Sequence, residues 1–171
     1  MNITDKIQFL EKNLARQLDW IRAADSKIAP VIFITTSLLG ASVAFLSKTP
    51  KLSGFTLTLA AVCIIALIYT LFCMVMVNFP RITRYDESAI FFEGIKFSGF
   101  SGFEKKAGEI TEEAYFNDLT RMCYNSAIIA STKFKYVKKA MISLFIAILP
   151  WTLLVYNVFH YVKIDTLIPS K

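Results

Sequence analysis

Apolar positions along this chain fall into two kinds of pattern. From Ile3 to Ile28 they recur at alternating steps of four and three, at Ile3, Ile7, Leu10, Leu14, Gln17, Ile21, Ala24 and Ile28, with charged residues between them. That spacing predicts an amphipathic helix whose seam follows the coiled-coil period. Elsewhere the apolar residues run together. Three stretches hold no Asp, Glu, Lys or Arg, between Lys27 and Lys48, between Lys51 and Arg81, and between Lys139 and Lys163. Each is long enough for the helix of roughly 20 residues that crosses hydrocarbon. The pattern predicts an all-α membrane protein with three transmembrane helices, a cytoplasmic helical stalk, and a short irregular or hairpin insertion after the second span. The spans are placed at 28–46, 55–79 and 140–162. Residues 1–27 form a cytoplasmic amphipathic helix, 47–54 an external hairpin, 80–139 a cytoplasmic loop and helix, and 163–171 an external tail.

The last helix is expected to be long. Thr111 followed by Glu112 and Glu113 reads as an N-cap with acidic residues in the first turn. A helix from there would hold roughly 50 residues and reach about 75 Å. A stripe at Phe116, Cys123, Ala127, Ala130, Phe134, Val137, Met141, Leu144, Ile148, Trp151 and Val155 keeps one phase across the membrane boundary, so one face is expected to pack throughout. Lys133, Lys135, Lys138 and Lys139 mark the exit from water, where long basic side chains keep their charge among head groups. Asn125, Ile129 and Lys133 are four apart and share a face. Arg16, Asp19, Arg22 and Asp25 make a three-residue ladder of alternating charge on the first helix. Asp25 and Lys27 stand at its last turn before the bilayer, where a charge is costly unless solvated or paired.

Composition fits the pattern, with 55% apolar residues and a mean hydropathy of +0.51, above the range of ordinary soluble domains. The formal charge of +6 would suit nucleic acid, but the basic residues crowd the span ends instead of forming a separate face. No nucleic-acid partner is expected. Five Lys or Arg precede the first span and ten lie between the second and third, against two in the hairpin and two in the tail. The positive-inside rule therefore puts the N-terminus and 81–139 in the cytoplasm of a multi-pass membrane protein. A signal peptide is not expected, because its apolar core would start sooner. Cys63, Cys73 and Cys123 have no metal or disulfide spacing, and the lone His160 lies beside Tyr156 and Tyr161 in an aromatic belt. No cofactor is implied. With no Ser/His/Asp set, P-loop or G-x-G-x-x-G, an enzyme is disfavoured. A transporter is disfavoured by spans free of internal charge.

Two stretches carry candidate contacts. In span one Thr36, Gly40 and Ala44 are four apart, and small residues at that spacing let helices approach closely in lipid. The partner is span two, span three or another copy. After span two, Phe91, Phe92, Phe97, Phe100 and Phe103 alternate with Gly94, Gly99 and Gly102, which suits a short hairpin or compact loop better than a helix. Such rings can stack a base while glycine amides approach a phosphate, or they can wedge into a bilayer surface or pack beneath the helices.

Several short motifs stand in a fixed order along the chain. They are Ala24-Asp25-Ser26-Lys27 at the start of span one, Pro80-Arg81 closing span two, Ile90-Phe91-Phe92 with Gly94-Ile95, and Asn125 with Lys133 before the last span. In order and membrane placement they resemble the transmembrane effectors of Pycsar anti-phage systems, whose A-D-x-K and apolar-Phe-Phe-Gly segments they match apart from Glu93, inserted before Gly94, and the Phe-Ser-Gly repeat. The resemblance implies an effector that binds a cyclic nucleotide, a cyclic pyrimidine mononucleotide, on its cytoplasmic side and impairs the inner membrane to arrest growth. It makes 80–139 the candidate nucleotide sensor and Asp25, Lys27, Phe91, Phe92, Asn125 and Lys133 the candidate ligand contacts. Lys133 or Lys27 would meet the phosphate, Asn125 a base edge, and Phe91 or Phe92 would stack the base. The bilayer, the nucleotide and further copies of the chain are the implied partners. The alternatives are a ligand-free oligomeric membrane scaffold or accessory subunit, and a purely structural ion pair between Asp25 and Lys133.

Overall fold

A computed structural model of the chain describes residues 2–47, 53–79 and 88–167, with side chains as far as residue 160. Among them lie five α-helices and no strand: α1 (Ile3–Asp25), α2 (Ile28–Ser47), α3 (Gly54–Asn78), α4 (Phe92–Glu109) and α5 (Glu112–Leu167). Three helical stretches are long and apolar enough to cross a membrane, within Ile3–Ser47, Gly54–Asn78 and Glu112–His160. This is the all-helical, three-span class that the hydropathy pattern predicts. The hairpin residues Lys48, Pro50 and Lys51, the Pro80-Arg81 pair, the Lys163 side chain and Lys171 lie outside the described residues.

Each helix start has a local cause. The chain turns at Ser26 and Lys27, and α2 then opens with Pro30 in its first turn, where a missing N–H is no loss. Ser53 caps α3, its hydroxyl accepting from Thr56 N at 3.1 Å. Thr111 caps α5 in the same way, accepting from Ala114 N at 3.2 Å, with Glu112 and Glu113 in the first turn.

The chain divides into two compact units, Met1–Asp25 with Phe79–Lys133 and Ser26–Asn78 with Phe134–Lys171. In the first, here the charged unit, the predicted seam of α1 is its covered face. Ile3, Ile7, Leu10, Leu14, Gln17 and Ile21 are half-buried and Ala24 is fully buried, while most other α1 side chains are exposed. The opposing surface is the N-terminal half of α5. Tyr115 Oη donates to Glu11 Oε1 at 2.9 Å, and the Cys123 thiol donates to the Leu10 carbonyl at 3.3 Å. With Lys133 bonded to Asp25 further along both helices, α1 and this half of α5 run in parallel.

In the second, the spanning unit, α2, α3 and α5 meet through small side chains. The buried residues of α3 are Thr56, Ala60, Cys63, Leu67, Thr70, Cys73, Met74 and Val77, nearly all on one seam of three- and four-residue steps. Ser143 Oγ donates across to the Ala66 carbonyl at 2.8 Å. Ala60 packs with Leu154 and Val158, beside Phe45 and Leu46 of α2. The buried hydroxyls of Thr35, Ser42 and Thr70 donate to carbonyls one turn back, of Val31, Leu38 and Ala66. Such bonds satisfy hydroxyls that lipid cannot.

Two sequence expectations are corrected. The stretch from Phe91 to Phe103 is a turn followed by a kinked helix, not a loop or β-hairpin, because a single positive-φ residue, Gly99 (φ 65°), absorbs the whole bend. The predicted stripe on α5 is half right. Cys123, Ala130, Val137 and Leu144 are buried, but Phe134, Met141 and Ile148 are exposed. The places of Met141 and Ile148 are taken by Ala140 and Ala147, one residue earlier in each heptad and in register with the buried Leu119, Ser126 and Leu154. At those two positions the smaller side chain goes inward, because close backbone approach supplies the attraction between helices in lipid.

Candidate functional site

In the charged unit the two charges nearest the ends of its helices meet. Lys133 Nζ donates to Asp25 Oδ1, joining the C-terminal residue of α1 to α5. The lysine side chain is 20% exposed and the carboxylate 41%. Placement follows from the pattern: Asp25 is next to the fully buried Ala24, and Lys133 continues the buried register Leu119, Ser126, Lys133. A half-buried ammonium on a packed seam needs an anion, and Asp25 supplies it. The remainder of the charge ladder on α1 is a solvated face. Arg22 Nη1 bonds Asp19 at 3.1 Å with both side chains more than 70% exposed, a pair that contributes little.

A second carboxylate builds the approach to α4. Asp118 Oδ2 accepts from Ser88 Oγ at 2.8 Å and from Ala89 N at 3.0 Å. Ser88 Oγ in turn accepts from Ile90 N at 3.1 Å and Phe91 N at 2.9 Å. Three amides at the head of α4 are thereby held by one buried serine and one carboxylate on α5. Phe91 and Phe92 follow directly, their ring centroids 4.7 Å apart at 49°. Phe91 is half-buried, while Phe92 presents its ring to the surface.

The structure thus brings Asp25 to Lys133, and Phe91 to Phe92. Asn125 is half-buried on α5, two turns before Lys133 on the same face. Lys27 is exposed and belongs to the spanning unit. Thr36, Gly40 and Ala44 are all exposed, and a Cβ at Gly40 would meet nothing within 4 Å. Spans two and three do not cover that face among the described residues. Sequence reasoning missed Ser88 and Asp118. A faint signal existed in a serine four residues before a helix start and a carboxylate on the inner half of an amphipathic helix.

The neighbouring ionisable groups favour their neutral forms. The hydrogen bond to the Glu11 carboxylate, with burial second, raises the Tyr115 phenol above its ordinary value. Burial raises the Cys123 thiol. No group of three or more His, Cys, Asp or Glu able to hold a metal occurs among the described residues.

These features define a three-span helical membrane protein with a charged helical unit built around a lysine–aspartate pair. A family model described as the Pycsar effector protein domain matches residues 9–159, nearly the whole chain, and the protein belongs to that family. It is therefore a transmembrane effector of the anti-phage defence class. No curated protein and no solved structure matches the chain.

Proposed function

We propose that this effector binds a cyclic nucleotide, of the pyrimidine mononucleotide class, through its charged unit on the cytoplasmic side of the bacterial inner membrane. Binding then drives the spans to impair that membrane and arrest growth. The observation that carries the reading is the Asp25–Lys133 pair. A ligand phosphate carries one negative charge and would compete with the Asp25 carboxylate for an ammonium already withdrawn from most of the water, where charge-assisted bonds are stronger. Asn125 can both donate to and accept from a base edge. The exposed ring of Phe92, or Phe91 beside it, offers a stacking surface worth about 1–3 kcal/mol in comparable platforms. Release of Lys133 from Asp25 would loosen α1 from α5, the helix that contributes to both units. The test is growth of cells carrying the effector while the nucleotide is supplied. Parent chain arrests growth, and Lys133→Met, which keeps the stem and removes the charge, inserts normally and does not. Arrest by the variant at parental nucleotide dose would leave the pair as a structural contact only.

The exposed Thr36, Gly40 and Ala44 face supports assembly of several copies through span one. Gly40→Ile should then shift the mass distribution in native mass spectrometry toward monomer. An unchanged distribution assigns the contact elsewhere. A ligand-free scaffold predicts assembly without any nucleotide response.

A further inference from the structure

The apolar side chains least accounted for by packing lie at the bend of α4. Phe97 is 74% exposed and Phe100 83% exposed, on either side of Gly99, whose φ of 65° only glycine adopts without strain. Both rings belong to the charged unit, where nothing in the hydropathy pattern calls for outward phenylalanines. Exposed large rings of this kind mark an interaction surface. Around them the charge is one-sided, since between Lys96 and Lys106 three ammonium groups stand against the single carboxylate of Glu104. Lys96 and Lys105 are exposed, and Lys106 reaches back to the bend, its Nζ donating to Ser98 Oγ at 3.0 Å. Ser98 is itself fixed by its bond to the Gly94 carbonyl at 2.8 Å.

We infer that the Gly99 bend of α4 docks on a bilayer surface bearing anionic head groups, with Phe97 and Phe100 seated in the interfacial layer and Lys96, Lys105 and Lys106 meeting lipid phosphates. Two observations select lipid over a second copy of the chain. Phenyl rings flanked by lysines are the composition of interfacial anchors, whereas pairing the same patch with itself would bring like charges together. The occupant is also at hand. Only Ser26 and Lys27 separate the end of α1 at Asp25 from the first span at Ile28, so the tether keeps the local concentration of bilayer surface high.

The full-length chain carrying Phe100→Cys, labelled with an environment-sensitive fluorophore, is reconstituted into phosphatidylcholine vesicles containing phosphatidylglycerol and a lipid spin-labelled near its head group. A label at Thr120→Cys, an exposed position on α5, is the control. The bend label should show blue-shifted emission and quenching at least about twofold stronger than the control, because the spin label acts only at close range to the interface. Charge reversal by Lys96→Glu with Lys105→Glu, both at exposed positions, should reduce that quenching, as should added salt. Emission typical of a water-exposed label in these vesicles would overturn the proposal. So would label–label self-quenching that grows with the protein-to-lipid ratio, which would assign the surface to a second copy.

Discussion

In the charged unit α1 turns Ile3, Ile7, Leu10, Leu14 and Ile21 toward its partner helix and leaves Lys, Arg, Asp and Glu outside. In the spanning unit small residues share the interior. Ala60, Cys63, Thr70, Ala140, Ser143 and Ala147 lie inside with Leu67, Met74 and Leu154, and Phe33, Phe55, Phe72, Phe145 and Leu149 lie outside. Both interiors follow the same steps of three and four, so periodicity is common to them and residue choice is not. Water expels large apolar side chains, so the α1 seam turns them toward α5, half-buried around Ala24, Leu119, Cys123, Ser126 and Ala130. Lipid has no such preference, and helices there associate best where small residues let backbones approach and the few hydroxyls find carbonyls.

If that contrast is right, truncation should hurt one unit and enlargement the other. Leu119, 2% exposed in the charged unit, is the largest effect expected: Leu119→Ala should cost about 2–5 kcal/mol in thermal or denaturant unfolding. A loss within the error of measurement would mean that the charged unit has no packed interior at that point. In the spanning unit Ala147→Phe should cost about 1–3 kcal/mol by overpacking the seam against α3, where Cys63 already contacts the Ala147 carbonyl. Phe145→Ala, two residues earlier and outward, should change stability by no more than about 0.5 kcal/mol. If those two variants exchange places, the inside and outside of α5 have been reversed.

The smallest effect concerns alkaline pH. The fold raises the pKa of the Tyr115 phenol and of the Cys123 thiol, so it favours both neutral forms. Their contribution to stability is complete below the ordinary values, about 8.5 for a thiol and about 10 for a phenol, and is lost as pH rises through the raised values. Unfolding of the full chain in detergent should therefore become easier toward about pH 11. Tyr115→Phe, which cannot ionise, should flatten the upper part of that decline. A variant whose pH profile overlays the parent's would remove Tyr115 from the account.

The fold was largely legible in the sequence because its signals are local and periodic. The seam of α1, the three charge-free runs and the Thr111 cap each lie within one helix. The α5 stripe was legible only to within one heptad position, since Phe134, Met141 and Ile148 are more apolar than the residues that pack, and hydrophobicity is a poor guide to inwardness in lipid. Phe91 to Phe103 misled for a related reason: three glycines and five phenylalanines suggest a loop, but only Gly99 uses its conformational freedom to break the helix. Asp25 and Lys133 stood out as charges beside membrane spans. Ser88 and Asp118 did not, because their bond spans thirty residues and neither has an unusual sequence neighbourhood.

Under the proposed function Lys133, held by Asp25, is the anion-binding group of a nucleotide sensor. Calorimetric titration of the detergent-solubilised full chain with a panel of cyclic mononucleotides tests it directly, with Lys133→Met titrated alongside. The account predicts that a cyclic pyrimidine mononucleotide binds the parent, and that the variant, still folded and assembled, binds at least about tenfold more weakly, as loss of one partly buried charge-assisted contact requires. Equal affinity of parent and variant, or no binding of any cyclic mononucleotide by the parent, would contradict it.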